Sequence, residues 1–166
     1  MKSCILLVFL FAVTLCKSSG QMTTAQICQH LLTFGKPGRS QTVESSSKND
    51  DYSKIKITYL GIATIRNKQR FKILTRHFVW GPNRHTSGTI LIFTNKNQFA
   101  GKYYLSDGRY LPEKLKNNKL VFTNRYKSDC DSQLVTIIDL KNGLPKNIFL
   151  KCQGEFGDLY SFSNDD

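Results

Sequence analysis

His77 and His85 stand eight residues apart, beside Arg76 and Arg84, in the stretch RHFVWGPNRHTSG. An imidazole titrates near neutral pH, so it can take or give a proton there. Two imidazoles with flanking guanidinium groups could act on a phosphodiester, as one base, one acid and cations for the developing charge. On this reading His77 and His85 are the catalytic candidates of a small secreted hydrolase, phosphodiesterase-like or nuclease-like. No motif fixes their geometry, and histidines beside arginines also occur on ordinary surfaces. The same stretch holds Phe78 and the single tryptophan, Trp80. An aromatic pair with neighbouring arginines can stack on a sugar or a base. Arg76, Phe78, Trp80, Arg84 and, further along, Tyr104 are the ligand-binding candidates. The competing reading makes Trp80 a plug at one end of the core, just before Gly81-Pro82 turns the chain.

The acids and cysteines offer less. Asp129 and Asp131 flank Cys130, and Glu155 follows Cys152. A Cys130–Cys152 disulfide would gather these three acids, but their spacing matches no calcium loop. No CxxC and no zinc-ligand spacing occur, so no metal and no cofactor is expected. The segment LVTIIDLKNGLPKNIFLKC reads as a hairpin, with Asn142-Gly143 as a two-residue type I′ turn. That register places Cys130 and Cys152 three positions out of alignment. A bulge or a longer loop would be needed to close the bond. Cys28 bonded to either one is the alternative, and it would staple the N-terminal helix to the sheet.

The elements that must position these residues follow from periodicity. In residues 23–34, Ile27, Leu31 and Phe34 form one helical stripe, which Cys28 and Leu32 widen. Thr23 or Thr24 can cap it, and Gly35 and Pro37 end it. His30 lies beside the stripe as a boundary residue. Residues 35–53 are rich in Ser, Asn, Asp and Gly and read as a linker. The period then changes to two. Ile55, Ile57, Tyr59, Gly61, Ala63 and Ile65 share one face of a long strand, while Leu60 and Ile62 interrupt the other. Further strands are expected at 71–80, 89–94, 99–105, 119–123, 133–140, 147–153 and 158–163. Tyr103 and Leu105 fall on one face with Phe99 and Gly101, and Tyr104 faces the other way. The stretch between strands 71–80 and 89–94 is then the long connection of the fold.

Residues 1–20 begin with Lys2, continue with an apolar run from Cys4 to Cys16 and end in Ser18, Ser19 and Gly20. This is the pattern of a signal peptide. The run is shorter than the roughly 20 apolar residues that span a bilayer. The expectation is an exported protein, secreted or periplasmic, with no transmembrane segment in the mature chain. Anchoring as a lipoprotein through Cys16 is the alternative, though Leu15 stands where that processing wants a small residue. Without residues 1–20 the chain has 146 residues, with 22 basic and 12 acidic side chains, a net charge of +10. Such a balance attracts polyanions, yet scattered lysines also keep a sheet soluble. No specific nucleic-acid motif is present.

These readings combine into one all-β domain over 54–166. It is an antiparallel meander of about eight strands, closed as a small barrel or flattened as a sandwich, preceded by a short helix and a flexible linker over residues 21–53. In architecture, though not in any motif, such a chain is similar to lipocalin-like barrels, and architecture does not give function. The functional expectation is a non-catalytic binding module for an apolar, glycan or anionic ligand. The hydrolase using His77 and His85 and a structural envelope-associated protein without a ligand site are the alternatives.

Overall fold

The computed structural model describes residues 22–46, 52–125 and 128–165. The signal-peptide reading and Cys16 lie outside these described residues. Helix α1 spans Thr24–Phe34. Ten strands follow: β1 (Ser40–Ser45), β2 (Ser53–Thr64), β3 (Arg70–Trp80), β4 (His85–Thr94), β5 (Phe99–Leu105), β6 (Lys114–Lys116), β7 (Lys119–Thr123), β8 (Val135–Asp139), β9 (Asn147–Gln153) and β10 (Phe156–Ser163). A 3₁₀ turn, Gly108–Tyr110, lies between β5 and β6.

All pairings are antiparallel. The larger sheet has the order β1-β2-β3-β4-β5-β10-β9, and β6-β7-β8 form a second sheet. The fold is therefore mostly β, as the periodicity predicts. The hydrogen-bonded ladder does not close on itself among the described residues; β1 and β9 are its two edges.

Two apolar layers lie on opposite faces of the large sheet. One packs Ile73, Ile90, Ile92, Tyr103 and Leu105 against Leu120, Phe122 and Leu140 of the second sheet region and against Ile148, Leu150 and Tyr160. The other packs Ile57, Tyr59, Leu74, Leu91 and Phe93 under Ile27, Cys28, Leu31 and Leu32 of α1. Burying Ile27, Leu31 and Leu32 contributes roughly 1.5–3 kcal/mol each, as an upper estimate. Thr23 and Gln26 form a reciprocal capping box at the start of α1. At its other end the Lys72 ammonium donates to the Leu32 carbonyl at 2.8 Å, a cation where the helix dipole is negative.

Several expectations are corrected. Residues 40–45, read as linker, form edge strand β1 and pair with β2 from Ser40↔Thr58 to Ser45↔Ser53. Their polar side chains hid a strand whose outer face meets solvent. The face of β2 was expected to be continuous. A bulge between Tyr59 and Gly61 switches it, so Ile55, Ile57 and Tyr59 face α1 while Ala63 and Ile65 join Leu60 in the opposite layer. A second irregularity, between Ile92 and Phe93, puts Phe99 on the α1 side and Tyr103 on the other. The expected long connection shrinks to residues 81–84, because β4 begins at His85. Phe34, placed on the helical stripe, is 68 % exposed.

The Asn142-Gly143 hairpin is also corrected. β8 pairs with β7, whereas β9 pairs with β10, so residues 140–146 pass from one sheet to the other. The positive-φ pair expected at Asn142-Gly143 occurs instead at Asn117 and Asn118 (51° and 60°), joining β6 to β7. The register that misaligned Cys130 and Cys152 therefore does not exist. The two are bonded, with Cα atoms 4.5 Å apart, and the Asp131 amide donates to the Cys152 carbonyl. Cys28 is free and buried.

Candidate ligand groove between the helix and the sheet

Alternation along β3 decides what its side chains can do. Leu74, Arg76, Phe78 and Trp80 face the α1 side; Ile73, Thr75, His77 and Val79 face the other. His85 pairs directly with Trp80, and His77 pairs with Gly88. The two histidines thus project from opposite faces of one sheet and cannot share a reacting group. Their closeness along the chain suggested convergence around a bend, but an unbulged β3–β4 ladder fixes opposite parity.

The ligand-binding candidates are brought together in part. Arg76 lies in a cross-strand row with Ile57, Thr89 and Tyr104, through the pairings Ile57↔Arg76, Arg76↔Thr89 and Thr89↔Tyr104. Tyr104 is exposed at the end of that row. Phe78 and Trp80 follow Arg76 on the same face, stacked at 4.9 Å between ring centroids with an 18° interplanar angle. The His85 ring lies 5.9 Å from that of Trp80. Trp80 is half-buried, so it does not plug the core. Arg84 is apart from this group: it sits in the β3–β4 turn at positive φ, its guanidinium over the Tyr52 ring at 3.2 Å.

Beside Arg76 a groove of about 410 Å³ opens between the N-terminal half of α1 and the sheet. Thr24, Ala25, Cys28 and Gln29 line its helix side; Arg76, Leu91, Phe93 and Phe99 line its floor. Arg76 donates from Nη2 to the Thr89 hydroxyl at 3.2 Å. Its Nε is buried and has no hydrogen-bond partner among the described residues. A guanidinium carries five N–H donors, and a buried donor without an acceptor costs about 1–3 kcal/mol. Burial pushes the Cys28 thiol up, and the Arg76 charge opposes that shift. Cys28 therefore stays protonated at neutral pH and serves as apolar wall.

The layer between the sheets is built of buried side chains. Tyr103 is fully buried there and donates to the Pro145 carbonyl at 2.6 Å. Burial pushes its hydroxyl well above the ordinary tyrosine range, and that of Tyr160 up to about 12. No cluster of metal-ligating side chains occurs among the described residues. No helix among them is long and apolar enough to cross a membrane.

Sequence reasoning found Arg76 but missed the rest of the groove. Cys28 was assigned to the helix stripe and Phe99 to the wrong face. The helical period showed that α1 has an apolar side; it carried no information on which strands that side would meet. No known family, curated protein or solved structure matches this chain.

Proposed function

We propose that the protein is a non-catalytic binding module whose groove between α1 and the sheet takes a small amphipathic anion. The apolar body lies on Leu91, Phe93 and Phe99, and the anionic group meets Arg76. A guanidinium with a buried, unpartnered N–H, set beside Leu91, Phe93 and Phe99 on the groove floor, carries this reading. Its volume falls in the range of roughly 300–1,000 Å³ typical of small-molecule sites. A guanidinium recognises a carboxylate through two parallel hydrogen bonds, so Nε and an Nη can act together. Phe78 and Trp80 extend the same face beyond Arg76 and suit a longer apolar tail. Export through the residue 1–20 signal belongs to the same proposal and would expose the groove to extracellular or periplasmic ligands.

The test is calorimetric titration with dodecanoate and with dodecanol. Saturable binding of the acid, weakened about tenfold or more for the alcohol and in Arg76→Met, is expected from a charge-assisted pair. Arg76→Met keeps the side chain's apolar stem over the sheet. Equal affinity for acid and alcohol, or an unchanged affinity in the variant, would refute the role of Arg76. Absence of saturable binding would refute the groove as a site for this ligand class.

A further inference from the structure

The opposite face of the same strands carries a second arrangement, independent of the helix-side groove. Lys56 pairs with His77, and Thr58 pairs with Thr75, directly across β2 and β3. Directly opposed residues project to the same side. The four therefore form a polar quartet on the inward face, just where the apolar layer from Leu60 and Ile73 ends. They line a cleft of about 250 Å³ closed on its far side by Leu111 and Glu113. Lys56 has no ion-pair partner among the described residues. Glu113 is turned to β7, where it accepts from the Thr123 hydroxyl at 2.6 Å.

The His77 ring is wedged under the 3₁₀ turn. A Cβ on Gly108 would fall 1.9 Å from its Cδ2 and 2.3 Å from its Nε2, so only glycine fits there. Nε2 is buried without a partner among the described residues. A buried N–H without an acceptor costs about 1–3 kcal/mol, so the neutral ring favours the tautomer with its proton on Nδ1. That tautomer keeps one N–H donor for the cleft. Asp107 holds the turn in place, accepting from the Arg109 amide at 2.8 Å and the Thr86 hydroxyl at 2.7 Å.

We infer that this cleft is a phosphate site, with the Lys56 ammonium, the His77 ring N–H and the Thr58 and Thr75 hydroxyls as its donors. One fixed charge and several neutral donors on adjacent rungs suit a compact oxyanion with acceptors on every side. Free phosphate and the phosphate of a small monoester present the same group.

The experiment is titration of the uniformly ¹⁵N-labelled protein with inorganic phosphate and, separately, with glycerol phosphate, at constant ionic strength. Saturable amide shifts confined to residues 56–58 and 75–77, Leu111 and Glu113 are expected. Lys56→Ala should weaken binding about tenfold or more, and Glu113→Gln should tighten it a few-fold by removing the nearby negative charge while keeping an acceptor for Thr123. Lys56 is exposed, so its replacement leaves the fold intact, which the unperturbed remainder of the spectrum verifies. Tighter binding of glycerol phosphate identifies a monoester as the ligand; tighter binding of inorganic phosphate identifies the free ion. Shifts that do not saturate by about 50 mM, or that persist unchanged in Lys56→Ala, overturn the site.

Discussion

At the scale of single residues, His77 shows how burial changes a histidine's meaning. Desolvation lowers its pKa below the ordinary value of 6.5; the Asp107 charge opposes the shift and the Lys56 charge adds to it. The folded protein therefore resists a proton that the unfolded chain accepts. Stability from the neutral ring is fully present above pH 6.5 and is lost as pH falls from there through the folded pKa. Asp107 acts lower. Burial alone would raise it, but hydrogen bonds from Arg109 and Thr86 outweigh that and hold it below its ordinary 3.8, so its contribution is lost only in stronger acid. Urea midpoints in phosphate-free buffer should fall between pH 7.5 and pH 5, and His77→Phe should flatten that part of the curve. A midpoint equally pH-dependent in the variant would show that other groups are responsible. The sequence made His77 and His85 conspicuous through their rarity. It held no information on Gly108, which closes over His77 from 31 positions away.

At the scale of elements, alternation located seven of the ten strands to within a few residues, and β4 apart from its first four. It failed where the pattern is short or broken. β6 has three residues, two of them exposed lysines, and β1 is almost wholly polar, so neither offers an apolar alternation. The bulges in β2 and β5 set Ala63 and Phe99 on the faces opposite to those strict alternation predicts, because one extra residue inverts the side chains beyond it. The two-residue turn shows a similar limit. Asn-Gly is a strong hairpin signal, yet Asn117-Asn118 makes the hairpin while Asn142-Gly143 makes a crossover. Asn tolerates positive φ, whereas a β-branched side chain does not. Asn117→Val should therefore cost about 1–2 kcal/mol, and Asn117→Gly should leave stability unchanged or slightly raised. Chemical denaturation of the two variants checks the sign of both. Equal stability would show that this turn does not direct the β6–β7 pairing.

At the scale of the whole molecule, β6-β7-β8 form an excursion between β5 and β10, and the Cys130–Cys152 bond ties its return to the edge strand of the large sheet. The Lys151 amide donates to the Thr136 hydroxyl, the Asn124 amide group to the Lys151 carbonyl and the Asp131 amide to the Cys152 carbonyl, and the disulfide closes this corner covalently. With 22 residues of separation, removing it should cost roughly 3 kcal/mol. A reducing agent should lower the denaturation midpoint of the native protein and leave that of Cys130→Ala/Cys152→Ala unmoved; no change in the native protein would mean that the bond is energetically idle. By itself the sequence determined the mostly β class, the capped amphipathic helix and the basic charge, because period and side-chain chemistry are local. Only the tertiary structure decided which face each strand presents, the order of the strands in the two sheets and that Arg76 meets Cys28 and Phe99. Those outcomes depend on bulges and on pairings between distant segments, whose energies no local window of residues contains.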